Sequence, residues 1–114
     1  MLPKIHRLAK AKDVQQTYAR GRSFFSPHFL LKARFGGASV RFAFVVSTKV
    51  SKRAVVRNRI RRILRETIRM HLKAIKPADY IFTVKPAALH LVSGQLREQS
   101  VLFLKQSKVL YYEA

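Results

Sequence analysis

From Lys49 to Lys73 the chain reads KVSKRAVVRNRIRRILRETIRMHLK, ten basic residues and one acid, Glu66, laid over an apolar repeat of helical spacing. Val56, Ile60, Ile63, Leu64, Ile68 and Leu72 recur at steps of three and four, which places them on one face of an α-helix. The segment is therefore a helix with a side to bury, and the rest of the chain has to supply the surface that covers it. Arg57, Arg61, Arg65, Arg69 and Lys73 step by four. Each such step advances about 40° around a helix of about 3.6 residues per turn, so they form a slowly winding basic stripe beside the apolar one. Like charges at this spacing cost an isolated helix roughly 0.2–0.5 kcal/mol per pair. An arrangement that repeats this repulsion predicts a polyanion to neutralise it.

The remaining composition points the same way. Lys and Arg number 24 against five acids in 114 residues, a formal net charge of +19. At 48% hydrophobic, with eight Phe and four Tyr, the chain is too apolar for a disordered basic tail and of a size to form one domain, residues 1–114, with its own core. There is no cysteine, which excludes disulfides, iron–sulfur clusters and thiolate zinc sites. No apolar run approaches the ~18 residues of a membrane span and the N-terminus lacks a signal-peptide apolar segment, so no membrane partner and a cytoplasmic location are expected. His6, His28, His71 and His90 are scattered without ligand spacing, and Asp13, Glu66, Asp79, Glu98 and Glu113 contain no local pair for metal or acid/base work. No catalytic residue and no protein-bound metal or other cofactor are expected. Glu66, with Arg62 four residues before it and Arg69 three after, reads as an ion-pair partner on the helix.

Along the chain, Asp13–Tyr18 with Gly21 after it predicts a short first helix ending near Arg20. Phe29–Phe35 and Val40–Val46, joined through Gly36 and Gly37, read as an antiparallel hairpin, with Pro27 limiting the first strand backwards. The basic helix is expected from about Arg53 to Ile75, with Ser51 as N-cap and Pro77 as its stop. Asp79–Val84 reads as a strand, and Ser93–Lys108 as a closing helix capped at Ser93. The aromatics Phe24, Phe25, Phe29, Phe35, Phe42 and Phe44 are mostly assigned to the core by default, with Phe29 divided evenly between the core and a binding role.

Val45 to Arg65, VVSTKVSKRAVVRNRIRRILR, resembles the signature of the bacterial ribonuclease P protein subunit, whose central helix carries an Arg-Asn-Arg core, here Arg57, Asn58 and Arg59, followed by Arg61, Arg62 and Arg65. RLAKAKDVQQTYARGRSF is similar to that family's first helix and turn, and DYIFTVKPAA to its last strand and exit. The resemblance implies an α+β fold: a compact two-layer sandwich, an about four-stranded sheet packed with three helices, and a left-handed crossover around the basic helix where sequence physics favours the right hand. It implies a catalytic RNA partner that removes the 5′ leader of precursor tRNA with Mg²⁺ held through the RNA, and no obligate protein partner.

Carried over by position, Lys52, Arg53, Asn58, Arg59, Arg61, Arg62 and Arg65 face the catalytic RNA. Guanidinium groups suit that role because they fork onto phosphate oxygens and stay charged. The single-stranded leader maps onto Val14, Tyr18, Phe29, Lys32, Lys49, Arg57 and Lys85. Val14 and Lys32 stand where the family often has Phe and Tyr, so leader contacts here are expected to lean on charge. A ribosomal protein would share the size, the charge and the lack of catalytic groups, and differs in its RNA. A membrane-surface or calmodulin-type role is disfavoured because the helix's apolar face is needed for the core.

Overall fold

Residues 2–111 are described by the computed structural model. Four strands, β1 (Arg22–Phe25), β2 (Phe29–Phe35), β3 (Val40–Val46) and β4 (Ala78–Val84), form one mixed sheet in the order β1-β2-β4-β3. Three helices, α1 (Ala11–Arg20), α2 (Ala54–His71) and α3 (Ser93–Gln106), complete an α+β architecture.

The expected hairpin between β2 and β3 does not form. β4 lies between them, antiparallel to β2 and parallel to β3. Six of its seven residues are buried, so it cannot sit at an edge with one face in water. The Gly36–Ser39 link accordingly passes across the end of β4 instead of closing a tight turn, and Gly36 takes φ +111°, a conformation open to a residue without Cβ. A hairpin does exist one strand earlier, between β1 and β2. Ser26 closes it, its amide donating to the Phe29 carbonyl at 2.9 Å while its Oγ accepts from the Phe29 amide at 3.0 Å.

Residues paired in register share a face of the sheet. On one face Phe24, Leu31, Phe82 and Phe44 line up across all four strands, flanked by Phe29, Val84 and Val46 and by Ala33, Tyr80 and Phe42. This face meets Ile60, Ile63, Leu64 and Ile68 of α2 and Leu96, Phe103 and Leu104 of α3 in the core. The four aliphatic side chains of α2 contribute on the order of 6–12 kcal/mol by leaving water. The like-charge repulsion along α2 costs about 1–2 kcal/mol, so burial wins and the helix forms with its arginines crowded.

Helix ends depart from expectation in detail. Ser51 does not cap α2: its Oγ accepts from the Arg53 amide at 3.2 Å, one residue short of the helix, and Arg53 stands at the N-cap with no side-chain bond. α2 closes at His71, passes into a 3₁₀ turn at Leu72–Ala74, and Ile75 pairs with Leu110 beyond α3. Ser93 is the first residue of α3 and not its cap; the Val92 amide instead donates to Oε1 of Gln95 at 3.1 Å.

The opposite face carries α1, which packs on β2 and β4. At its start Asp13 bonds Arg41 of β3, and at its end Gly21 touches β2. A Cβ on Gly21 would stand 2.4 Å from the Thr17 carbonyl oxygen and 3.3 Å from the Ala33 backbone. Both neighbours are main chain and cannot swing away. Gly21→Ala should therefore lower unfolding free energy by about 1–3 kcal/mol in urea titration, and a loss under about 0.5 kcal/mol would contradict this close approach.

Candidate nucleic-acid interface

Among the described residues, carboxylate–cation pairs gather at one place. Arg41 forks onto Asp79 (Nε to Oδ1 2.7 Å, Nη2 to Oδ2 2.8 Å) and reaches Asp13 at 3.2 Å, while Arg34 stands 3.6 Å from Asp79. No cation of α2 has such a partner there, and the pairing expected of Glu66 with Arg62 and Arg69 is not formed. Glu66 is half-buried, and the arginines beside it keep their charge for something outside the chain.

Lys52, Arg53, Asn58, Arg59 and Arg62 are exposed, whereas Arg57, Arg61 and Arg65 are half-buried. Two of the second group are tied down by the fold. Arg57 Nη1 donates to the Ser51 carbonyl at 3.0 Å, and Arg61 donates from Nη1 to the Val46 carbonyl at 3.4 Å and from Nη2 to Oδ1 of Asn58. Asn58 thus orients a neighbouring guanidinium besides offering its own amide. Partial burial, followed by the charges of Arg65 and Arg57, pushes the Arg61 guanidinium below its ordinary value. It remains charged at neutral pH, so an anion placed there relieves a standing repulsion. Arg65 lines a cavity of about 340 Å³ with Arg7, Leu8, Phe42 and Phe44.

The second surface is the face under α1. Across it run two rows in register, Phe25–Leu30–Thr83–Val45 and Ser23–Lys32–Ile81–Ala43. Ile81 is buried, while Leu30, Thr83, Val45, Lys32 and Ala43 are half-exposed, so the face is covered at its centre and open beside it. On α1, Tyr18 is exposed and Val14 half-exposed. Lys85 follows β4 and its Nζ donates to the Ser26 carbonyl at 2.9 Å; Lys49 is exposed in the loop before α2.

Phe29 does not belong with these residues. It is 1% exposed and lies on the other face, its ring 4.9 Å from that of Phe82 and 5.7 Å from that of Phe103. Strand alternation turns it into the core and turns Leu30 and Lys32 out. That parity was available in the sequence once Phe29 is counted as core, and it would have exposed Leu30. Thr83 and Val45 needed the strand order as well, and Phe25 needed β1, which sequence reading did not separate from the turn before it.

A mixed sheet backed on one side by two helices, with an uncompensated arginine helix and an open half-apolar face beside basic groups, defines a small α+β domain built to meet a polyanion. A model of the family Ribonuclease P matches residues 2–108. The ribonuclease P protein component of Rippkaea orientalis is 33% identical, covering 96% of this chain and 92% of its own length. That of Microcystis aeruginosa is 35% identical over 91% and 92%. The structure of a Staphylococcus aureus RNase P protein mutant superposes with a TM-score of 0.89 at 29% identity, covering 94% of this chain and 92% of that one. The chain belongs to the ribonuclease P protein family, and its role lies in tRNA processing.

Proposed function

We propose that the chain is the protein subunit of a ribonuclease P holoenzyme, binding the catalytic RNA along α2 and the single-stranded 5′ leader of precursor tRNA on the sheet face beside α1. The observation that carries this is the row of α2 cations without a carboxylate partner among the described residues, on a helix whose apolar side is already spent on the core. Lys52, Arg53, Arg59 and Arg62 reach phosphates freely, Arg61 is held in place for a fixed backbone trajectory, and Arg65 stands half-buried one turn further along the helix. Val14, Tyr18, Lys32, Lys49, Arg57 and Lys85 make the leader surface, with apolar Leu30 and Val45 and the Thr83 hydroxyl between them as its floor.

The protein contributes binding and orientation, and bond cleavage belongs to the RNA. In this reading Mg²⁺ belongs to the RNA, whose phosphate oxygens are the hard ligands that ion takes. The test is cleavage of a precursor tRNA by a bacterial ribonuclease P RNA at low magnesium, with and without this protein. Stimulation is the expected result. Tight binding to that RNA with no stimulation would reduce the protein to a general RNA binder of ribosomal type.

A further inference from the structure

Phe25 is 71% exposed, on the outermost strand of the sheet. A single exposed apolar side chain is ordinary and by itself decides nothing. What surrounds this one is not ordinary. Its ring makes no pair with another aromatic ring among the described residues and it stands outside the core packing. It opens the row that continues through Leu30, Thr83 and Val45, on the face that carries α1.

Two cations flank it. Lys32, which pairs with Ser23, is the diagonal neighbour of Phe25 across the β1–β2 ladder, within reach of a long side chain. Lys85 is held from the other end, its ammonium on the carbonyl of Ser26, the next residue in the chain. An unpartnered ring with cations within reach is the elementary unit of single-strand binding: a base stacks on the ring and the neighbouring phosphates meet the cations. Val14 and Lys32 bring no ring to this surface, and Tyr18 is the other aromatic exposed beside it.

We infer that Phe25 is a stacking platform for one base of the single-stranded leader, with Lys32 and Lys85 neutralising the phosphates flanking that base. The inference rests on the leader-binding reading above and adds a positioning residue to it. The surface then extends past α1 to the edge strand, and the path of the leader crosses all four strands along one row.

The holoenzyme tests this with three variants, Phe25→Ala, Phe25→Leu and Phe25→Tyr, and three substrates: precursor tRNA with its leader, the same tRNA without it, and precursors with one abasic nucleotide moved along the leader. Phe25→Ala and Phe25→Leu should weaken binding of the leader-bearing substrate by about 5- to 100-fold, and Phe25→Tyr should keep it near wild type. Leaderless tRNA should be indifferent to all three. At one leader position the abasic substitution should weaken wild type by a similar factor and leave Phe25→Ala no worse, a coupling that a structural role would not produce. A wild type that prefers the leader alongside an equally discriminating Phe25→Ala removes the proposal alone. A wild type that does not distinguish the two substrates removes the leader reading and the proposal with it.

Discussion

Replacing Arg59, Arg61 and Arg62 together with alanine is expected to weaken binding to ribonuclease P RNA on the order of 10²–10³-fold at physiological salt, measured by equilibrium titration. The slope of log affinity against log salt should fall in magnitude by about 2–3, because each guanidinium that meets a phosphate releases close to one counterion. All three positions lack a carboxylate partner among the described residues, so no internal ion pair is lost with them. The helix itself should not suffer. Alanine is the best helix former and the change removes like-charge repulsion along the basic stripe, which offsets the Arg61 bonds lost to the Val46 carbonyl and Asn58, so the thermal midpoint should change little. Weakening below about tenfold with an unchanged salt slope would place the RNA contact elsewhere on the molecule.

Arg41→Ala is expected to cost about 3–5 kcal/mol of unfolding free energy in urea titration, a large part of the stability of a domain this size. The Asp79 side chain is 7% exposed and both its oxygens are held by the Arg41 fork, leaving only the 3.6 Å approach of Arg34 once that fork is gone. A buried carboxylate without its partner is the costly state, so Arg41→Met combined with Asp79→Leu should recover most of the loss. The hydrogen bond to Asp79 is the chief cause that raises the Arg41 guanidinium above its ordinary value, against partial burial, with the charges of Asp79 and Asp13 adding to it. A group raised on folding gives its full contribution below its unfolded value and loses it only as pH climbs through the folded one. The deficit of Arg41→Ala should therefore be the same at about pH 7 and about pH 9, since both lie below that window. A cost under about 1 kcal/mol would mean that water or Arg34 satisfies Asp79. Because Arg41 also holds Asp13, the substitution should loosen α1 over the sheet and weaken leader-dependent binding before it weakens binding to the catalytic RNA.

How far each element could be read from sequence follows from the range of the interactions that set it. α2 was legible along most of its length, because its apolar positions and its arginines lie within one segment, though it closes at His71 and not at the Ile75 that Pro77 suggests; α1 and the extents of β2, β3 and β4 were legible for the same local reason. Caps were less so. Ser51 and Ser93 are good cap residues by type, yet Ser51 spends its oxygen one residue early and a glutamine within the first turn of α3 takes the Val92 amide. Glu66 has arginines at pairing distance in sequence, but adjacency along a helix does not oblige a half-buried glutamate and two exposed arginines to meet, and the entropy of holding the long side chains outweighs the small gain in water.

The sequence by itself determined that the chain has one strongly amphipathic basic helix, a set of short aromatic-rich strands, no thiol chemistry and an excess of positive charge that calls for a polyanion; these rest on periodicity and composition, which are local. Only the tertiary structure decided that β4 separates β2 from β3, that Phe29 closes the core while Leu30 and Phe25 look outward, and that Asp79 is answered by Arg41 of the adjoining strand. Alternation along a strand tells which residues share a side, but not which strand lies next or which side a helix will cover. Those choices are made by burial summed over residues far apart in the chain, where the doubly apolar β4 must go to the centre and α1 must leave part of one face open.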